Sequence, residues 1–248
     1  MKISIITVSY NSRDTLESAC KSLYDQSYKN FEHILIDGAS EDDTLMRLNG
    51  YKKKIDVLVS EPDRGVYDAL NKGLQYCSGD IIGLLHSDDM FAHERALEMV
   101  ADTFERTGCN ATYSDLDFVE RNNPDKVVRR WRSGCFDPKR IRHGWMVPHP
   151  TLFLSRELCM SNGPFDLTYK TASDYDFMLG IMQRPDLNVE YIPEVLVRMR
   201  MGGISTKNIG SVIRKSREDL QIMQQRGLPR PWIALAYKNL SKIPQFLG

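Results

Sequence analysis

Two adjacent carboxylates, Asp88 and Asp89, close an apolar run that begins at Ile81. Side by side they repel unless a cation lies beside them, and hard oxygen ligands suit Mg²⁺ or Mn²⁺. Such a metal is held by few protein groups and completed by phosphate oxygens; the bland alternative is that the pair caps a helix. A second acidic pair, Asp174 and Asp176, stands two residues apart at the start of a helical pattern. At that spacing the two point in different directions, so at most one faces a given substrate atom. A carboxylate so placed can take a proton from an attacking hydroxyl, while the other caps the helix or meets a cation. His149 lies between Pro148 and Pro150, which restrain its backbone, and an imidazole held this way can touch a metal or a diphosphate.

Two further groups belong to this set. The run Glu61-Pro62-Asp63-Arg64-Gly65-Val66-Tyr67-Asp68-Ala69-Leu70-Asn71-Lys72-Gly73 puts acids, an arginine and an asparagine on a loop entering a helix. Such a loop can contact a sugar–phosphate, although a plain helix start also explains Asp63. Asp37, followed by Gly38, can accept hydrogen bonds from a base or ribose, or simply make a turn.

These side chains need a frame, and the spacing of apolar residues supplies one. Ile3 to Ser9 is short, β-branched and nearly all apolar, as a strand covered on both faces should be. Leu16, Ala19, Cys20 and Leu23 then recur at helical spacing. Phe31 to Ile36 reads as a strand, a polar helix follows from about Asp42, and Asp56 to Val59 is a third strand. Val66 to Cys77 has a helical apolar face, Ile81 to Leu85 is a fourth strand, and Leu97 to Phe104 marks another helix. This alternation predicts an α/β fold with a Rossmann-like, mostly parallel central sheet and helices on both faces. Ligands of such sheets sit outside the carboxyl ends of the strands. The polar groups at those ends are Ser9-Tyr10-Asn11, Asp37, the loop from Glu61, and His86-Ser87-Asp88-Asp89, and all converge on one rim.

From about Cys109 the pattern changes. Ala111 to Glu120 and Lys126 to Arg132 predict a small second β ribbon turning at Asn122–Asp125. A short strand follows at Thr151 to Leu154, a helix from Ser173 to Met182, and a strand from Val189 to Arg200 broken by Pro193. The expected organisation is one domain over 1–225, with halves at 1–108 and 109–225 that lie against each other and complete a cleft. Residues 226–248 carry four basic side chains and no acid, with Trp232, Ile233, Leu235, Leu240 and Ile243 as an apolar set. They form a basic amphipathic tail, able either to lie in a membrane interface or to pack on the domain.

Bulk composition narrows the class. Over 248 residues, 33 basic side chains balance 33 acidic ones, which argues against a nucleic-acid binder. The five cysteines are scattered with no CxxC pair, as expected of free thiols in a reducing cytoplasm. Lys2 leads straight into the first strand rather than a signal core, and no run approaches the length of a membrane span.

Together the motifs resemble the inverting family 2 glycosyltransferases of the GT-A fold. The stretches that carry the likeness are Ile5–Asn11, Ile36–Asp42, Ser60–Gly73, Leu85–Asp89, His149–Thr151, Ala172–Phe177 and Gly202–Ser205. The run Glu61–Ala69 looks most like the branch that builds bacterial capsule, exopolysaccharide and O-antigen units. The resemblance implies transfer of one sugar from a nucleotide-diphosphate sugar, UDP-linked by preference, to a hydroxyl of a saccharide or polyprenyl-diphosphate-linked acceptor. It implies Mn²⁺ or Mg²⁺ as cofactor, with Asp89 and His149 as candidate ligands and Asp174 as catalytic base. Donor contacts would come from Thr7, Ser9, Asn11, Asp37, Asp63, Arg64, Asp68, Asn71 and Asp88. Candidate acceptor contacts are Asp176, Trp145 and Arg200. The expected location is the cytoplasm, at the inner face of the membrane where the tail reaches it. Two departures stand out: the metal motif reads Ser87-Asp88-Asp89, and a serine, Ser173, precedes the base. The Gln-x-x-Arg-Trp signature of processive synthases is absent. Rival readings are a sugar nucleotidyltransferase, which would carry a Gly-rich loop after the first strand, and an inactive nucleotide- or sugar-binding domain.

Overall fold

The computed structural model describes residues 1–48, 50–202, 209–242 and 245. Its sheet contains nine strands: β1 (Ile3–Ser9), β2 (Phe31–Asp37), β3 (Val57–Ser60), β4 (Ile81–Leu84), β5 (Asp89–Phe91), β6 (Ala111–Glu120), β7 (Asn123–Trp131), β8 (Phe153–Ser155) and β9 (Val189–Arg200). Their order is β3-β2-β1-β4-β8-β6-β9-β5, with β7 added to β6. The first four strands are parallel, as are β6 and β9. The helices are α1 (Leu16–Tyr24), α2 (Thr44–Arg47), α3 (Val66–Leu74), α4 (Ala96–Thr107), α5 (Pro138–Ile141), α6 (Arg156–Ser161), α7 (Ser173–Met182), α8 (Ile209–Gln225) and α9 (Pro231–Leu240).

All seven residues of β1 are buried, and its side chains alternate between two cores. Ile3 and Ile5 pack with Ala19, Leu97 and Val100, while Ile6 and Val8 pack with Leu70, Phe165 and Phe177. Helices therefore cover both faces, which explains the unbroken apolar reading of the strand. Helix α7 is buried on nearly every side, including Tyr175, Phe177, Leu179 and Met182. A helix enclosed in this way holds its first turn rigidly.

Three expectations shift. The ribbon turns at Arg121-Asn122, and Pro124 lies inside β7; this strand pairs with β6 alone, and an edge strand tolerates a missing amide donor. Pro193 does not break β9 but sits in a bulge, where the β6 register moves from Ser114–Ile192 to Asp115–Val195. The polar helix after Asp42 shrinks to the single turn α2 and a 3₁₀ turn at Lys52–Lys54. Residues 203–205 of the last matching stretch, and Ile243, lie outside the described residues.

The stretch after Gln225 is seated on the domain. Ala234 is fully buried, and a side chain at Gly144 would meet its carbonyl at 2.3 Å. The opposite face of α9 leaves Trp232, Ile233, Tyr237 and Leu240 exposed.

Candidate functional site

From β1 the chain steps outward to β2 and β3, then returns to β4 on the other side of β1. In sheets of this kind the ligand crevice lies where the order reverses. Across it, Ser12 Oγ and Ser87 Oγ lie 2.9 Å apart, tying the loop after β1 to the loop after β4. Asn11 and Ala39, at the ends of β1 and β2, hold φ of +47° and +59°, a region that costs an L residue energy and is kept only where its surroundings demand it. Asn11 donates its amide to Ser40 Oγ and accepts from the Glu41 amide.

Asp37 is the hub of this rim. Its Oδ1 accepts from Ser9 Oγ at 2.9 Å and Ser40 Oγ at 2.6 Å; its Oδ2 accepts from the Ser40 amide and from Ser60 Oγ at 2.8 Å. One buried carboxylate thus draws the ends of three strands together. Thr7 lies deeper, its hydroxyl 3.0 Å from His33 Nε2, while Tyr24 meets His33 Nδ1 at 2.6 Å. Burial pushes the His33 pKa down to about 3, so this chain of groups is neutral.

The loop after β3 reaches the same rim. Asp63 accepts from the Gly65 amide at 2.7 Å and packs so tightly on Gly38 that a Cβ there would lie 2.5 Å from its Oδ2. A larger residue at 38 would displace the Asp63 carboxylate from this position. Arg64 pairs with Asp68 at 2.8 Å while its side chain stays 76 % exposed. Asn71 turns away from the rim: its amide donates to the Phe165 carbonyl at 2.9 Å and its oxygen accepts from the Phe165 amide at 2.8 Å.

Asp88 and Asp89 occupy different environments. Asp88 is half-buried, whereas Asp89, the first residue of β5, is fully buried. Neither Asp89 carboxylate oxygen has a hydrogen-bond partner. Burial, and then the Asp88 charge, push its pKa well above the usual carboxylate value, and the Arg200 charge and amide ease this only in part. Arg200 itself is buried and donates to the carbonyls of Asp88 and Arg121 and to Ser18 Oγ. It buttresses the motif from behind. An unpartnered, buried carboxylate beside a second acid is the kind of donor set a hard cation satisfies. Among the described residues, no three His, Cys, Asp or Glu side chains gather into a metal cluster, so substrate oxygens would have to supply the remaining ligands.

The second acidic pair also divides. Asp176 is bound by Arg226 through two contacts of 2.7 Å, an anchoring fork. Asp174, on the first turn of α7, accepts at Oδ1 from Tyr67 at 3.1 Å and from the Tyr175 amide at 2.9 Å; no hydrogen bond among the described residues reaches its Oδ2. Burial works to raise its pKa, yet Lys215, His149, Lys238 and the Tyr175 amide together outweigh burial and hold it below the usual value. His149 stacks edge-on with Phe165 at 6.1 Å and faces His86 at 5.8 Å. Burial lowers its pKa to about 4, so it is neutral near pH 7 and the two lysines carry the positive charge there. His149 thus sits in the neighbourhood of Asp174, His86 and Lys215, while Asp89 faces Asp88 and Arg200. Trp145 is packed among Tyr113, Phe136 and the Arg140 guanidinium.

Tyr67, His86, Lys215 and Lys238 were not among the expected site residues. Tyr67 and His86 lie inside motifs already noted, but the two lysines leave no sequence signal, because only tertiary packing carries α8 and α9 to α7.

Residues 4–157 match the family described as Glycosyl transferase family 2. The chain is 34 % identical over 179 residues to the uncharacterized glycosyltransferase Rv1514c of Mycobacterium tuberculosis, covering 71 % of this chain and 67 % of that one. It is 26 % identical over 196 residues to the UDP-Glc:α-D-GlcNAc-diphosphoundecaprenol β-1,3-glucosyltransferase WfgD of Escherichia coli, covering 77 % and 72 %. Its fold is similar to that of the mannosyltransferase PcManGT from Pyrobaculum calidifontis, with a TM-score of 0.66 at 19 % identity, over 99 % of this chain and 72 % of that one. The expected GT-A architecture is the one found, and the chain belongs to glycosyl transferase family 2.

Proposed function

We propose that the chain transfers one sugar, with inversion, from a UDP-sugar to a hydroxyl of a saccharide carried on a polyprenyl diphosphate. The observation that carries this reading is Asp174: a carboxylate kept charged in a half-buried site, with Oδ1 held by Tyr67 and the Tyr175 amide. In the reaction the acceptor oxygen bonds to the anomeric carbon while the bond from that carbon to the diphosphate oxygen breaks. The hydroxyl proton passes to Asp174, and the nucleoside diphosphate leaves with the bonding electron pair. The donor's nucleoside occupies the rim of Ser9, Asn11, Asp37 and Asp63, with Arg64 and His149 toward the diphosphate.

Mn²⁺ or Mg²⁺ would be held by Asp89 with Asp88 beside it, and when bound would neutralise charge on the departing diphosphate. The unpartnered Asp89 oxygens support that assignment, and PcManGT is known in complex with GDP-Man and Mn²⁺. WfgD, whose named acceptor is a diphosphoundecaprenol-linked sugar, supports this acceptor class. A lipid-linked acceptor calls for contact with a membrane surface. The exposed Trp232, Ile233, Tyr237 and Leu240 of α9 are suited to it, beside the basic α5, after which His143 meets the edge of Tyr237. No helix among the described residues is long and apolar enough to cross a membrane.

Calorimetric titration with UDP, with and without Mn²⁺, tests the donor site. Manganese-dependent binding that disappears in Asp89→Ala is the expected result. Binding of GDP alone would change the donor, and binding of neither nucleotide would remove the basis of the proposal.

A further inference from the structure

The helices α8 and α9 lie beyond the residues matched by the family, which end at 157, yet they send two cations toward Asp174. Lys238, on the inward face of α9, makes a 2.8 Å ion pair with Asp219 of α8, and their side chains are only 13 % and 3 % exposed. Its ammonium lies 3.2 Å from the centre of the Tyr175 ring, the residue that follows Asp174 and donates its amide to it. Asp219 Oδ1 and the Tyr175 hydroxyl have no hydrogen-bond partner, so a buried ion pair is kept here although its polar neighbourhood is not fully satisfied. A pair of that kind is a costly way to hold two helices together, because an apolar contact of similar volume serves at least as well. Its position against the candidate base gives it another use.

We propose that the α8–α9 hairpin is part of the catalytic centre, with Lys238, clamped by Asp219 over Tyr175, acting as the positioning residue that keeps Asp174 a carboxylate ready to accept a proton. This rests on Asp174 as the base. The charged and titratable groups facing Asp174 are Tyr67 from α3, His86 from the loop after β4, His149 from the 3₁₀ turn, Lys215 from α8 and Lys238 from α9. Its own helix adds Asp176, which Arg226 already neutralises. With both histidines held neutral by burial, the lysines are the cations that remain at neutral pH. Burial alone would favour the protonated acid, which cannot accept the hydroxyl proton.

The test uses the full chain, and its first readout needs no substrate. The Asp174 carboxyl ¹³C signal, identified by its loss in Asp174→Asn, is followed by NMR as pH rises from about 4.5 to 8. In the unaltered chain the signal should hold the carboxylate position throughout. Lys238→Met alone leaves Asp219 buried and unpaired and can unfold the chain, so the charge-balanced Asp219→Asn/Lys238→Met variant is used. In that variant the Asp174 midpoint should climb into the window, a rise of about one to three pH units. Lys238→Arg, with Asp219 and Lys215 intact, should keep the signal at the carboxylate position. A midpoint unmoved in a folded variant overturns the proposal, as does an equal rise in Lys238→Arg. Release of UDP from UDP-sugars by Asp174→Asn at the unaltered rate would instead sink the base assignment itself, whatever the NMR shows.

Discussion

Asp89 and Asp174 are both acids of one crevice, but their surroundings are opposite. Around Asp89 the fold supplies burial, a neighbouring acid and no hydrogen bond to either oxygen. Around Asp174 it supplies two hydrogen bonds and the charges of Lys215 and Lys238. The first site, with Arg200 nearby but neither carboxylate oxygen bonded, lacks a direct partner; the second has its partners within the protein. The same chemical group is thus prepared for two tasks by what is placed near it.

The largest effect that can break this comparison is on turnover. Asp174→Asn keeps the size of the side chain and removes the proton acceptor, so transfer should fall by about 10²–10⁴-fold while UDP affinity stays within about twofold. An equal loss of UDP affinity would mean that Asp174 serves binding rather than proton transfer.

Arg200 comes next. It is buried beside Asp88 and Asp89 but gives its hydrogen bonds to carbonyls and Ser18, not to the carboxylates. Arg200→Met should lower stability by about 2–3 kcal/mol, or roughly 5–10 °C in melting temperature for a chain of this size. An unchanged melting temperature would leave the motif without its buttress and return Arg200 to the acceptor-contact role expected of it from sequence.

The pH dependence of stability separates the two acids by sign. Asp89 has a folded pKa raised above the ordinary 3.8. Its contribution to stability is therefore complete below that value and is lost as pH rises through the folded pKa, by up to about 1.4 kcal/mol per pH unit. Asp174 has a lowered pKa, so its contribution is present above 3.8 and is lost as pH falls through its folded value. The buried, neutral His33 and His149 make the chain as a whole gain stability as pH rises toward 6.5, so Asp89 is read by difference: from pH 4 upward the metal-free parent should fall progressively behind Asp89→Asn in melting temperature, and Mn²⁺ should remove that deficit in the parent alone. A melting profile identical in Asp89→Asn and the parent would mean that Asp89 finds a partner in solution.

The contrast also explains what could be read before the fold was known. Buried parallel strands such as β1 need apolar side chains at nearly every position, and that demand is visible in Ile3–Ser9. The acids at the strand ends stood out by type and spacing. What stayed hidden depends on long-range packing. Nothing local says that Asp89 begins a strand paired to β9, that Arg226 claims Asp176, or that Lys238 comes to rest on Tyr175. Choosing between Asp174 and Asp176 as the available acid required those partners. Pro193 misled for a related reason, since a bulge in a parallel pair depends on the partner strand as much as on the proline.

Asn71 offers the smallest and most discriminating effect. The sequence placed it among the donor contacts, yet both polar ends of its amide are spent on the Phe165 backbone. Phe165 in turn stacks on Phe177 of α7 at 4.3 Å and on Tyr67 at 6.0 Å, and meets the edge of His149. Asn71 therefore reaches Asp174 only by fixing the aromatic floor under its partners. Asn71→Ala removes two hydrogen bonds and should lower stability by about 1–2 kcal/mol. UDP affinity should hold while transfer drops a fewfold, because Tyr67 loses its support. A loss of UDP affinity with the melting temperature unchanged would put Asn71 back on the donor and make the rim, rather than the aromatic floor, its place of action.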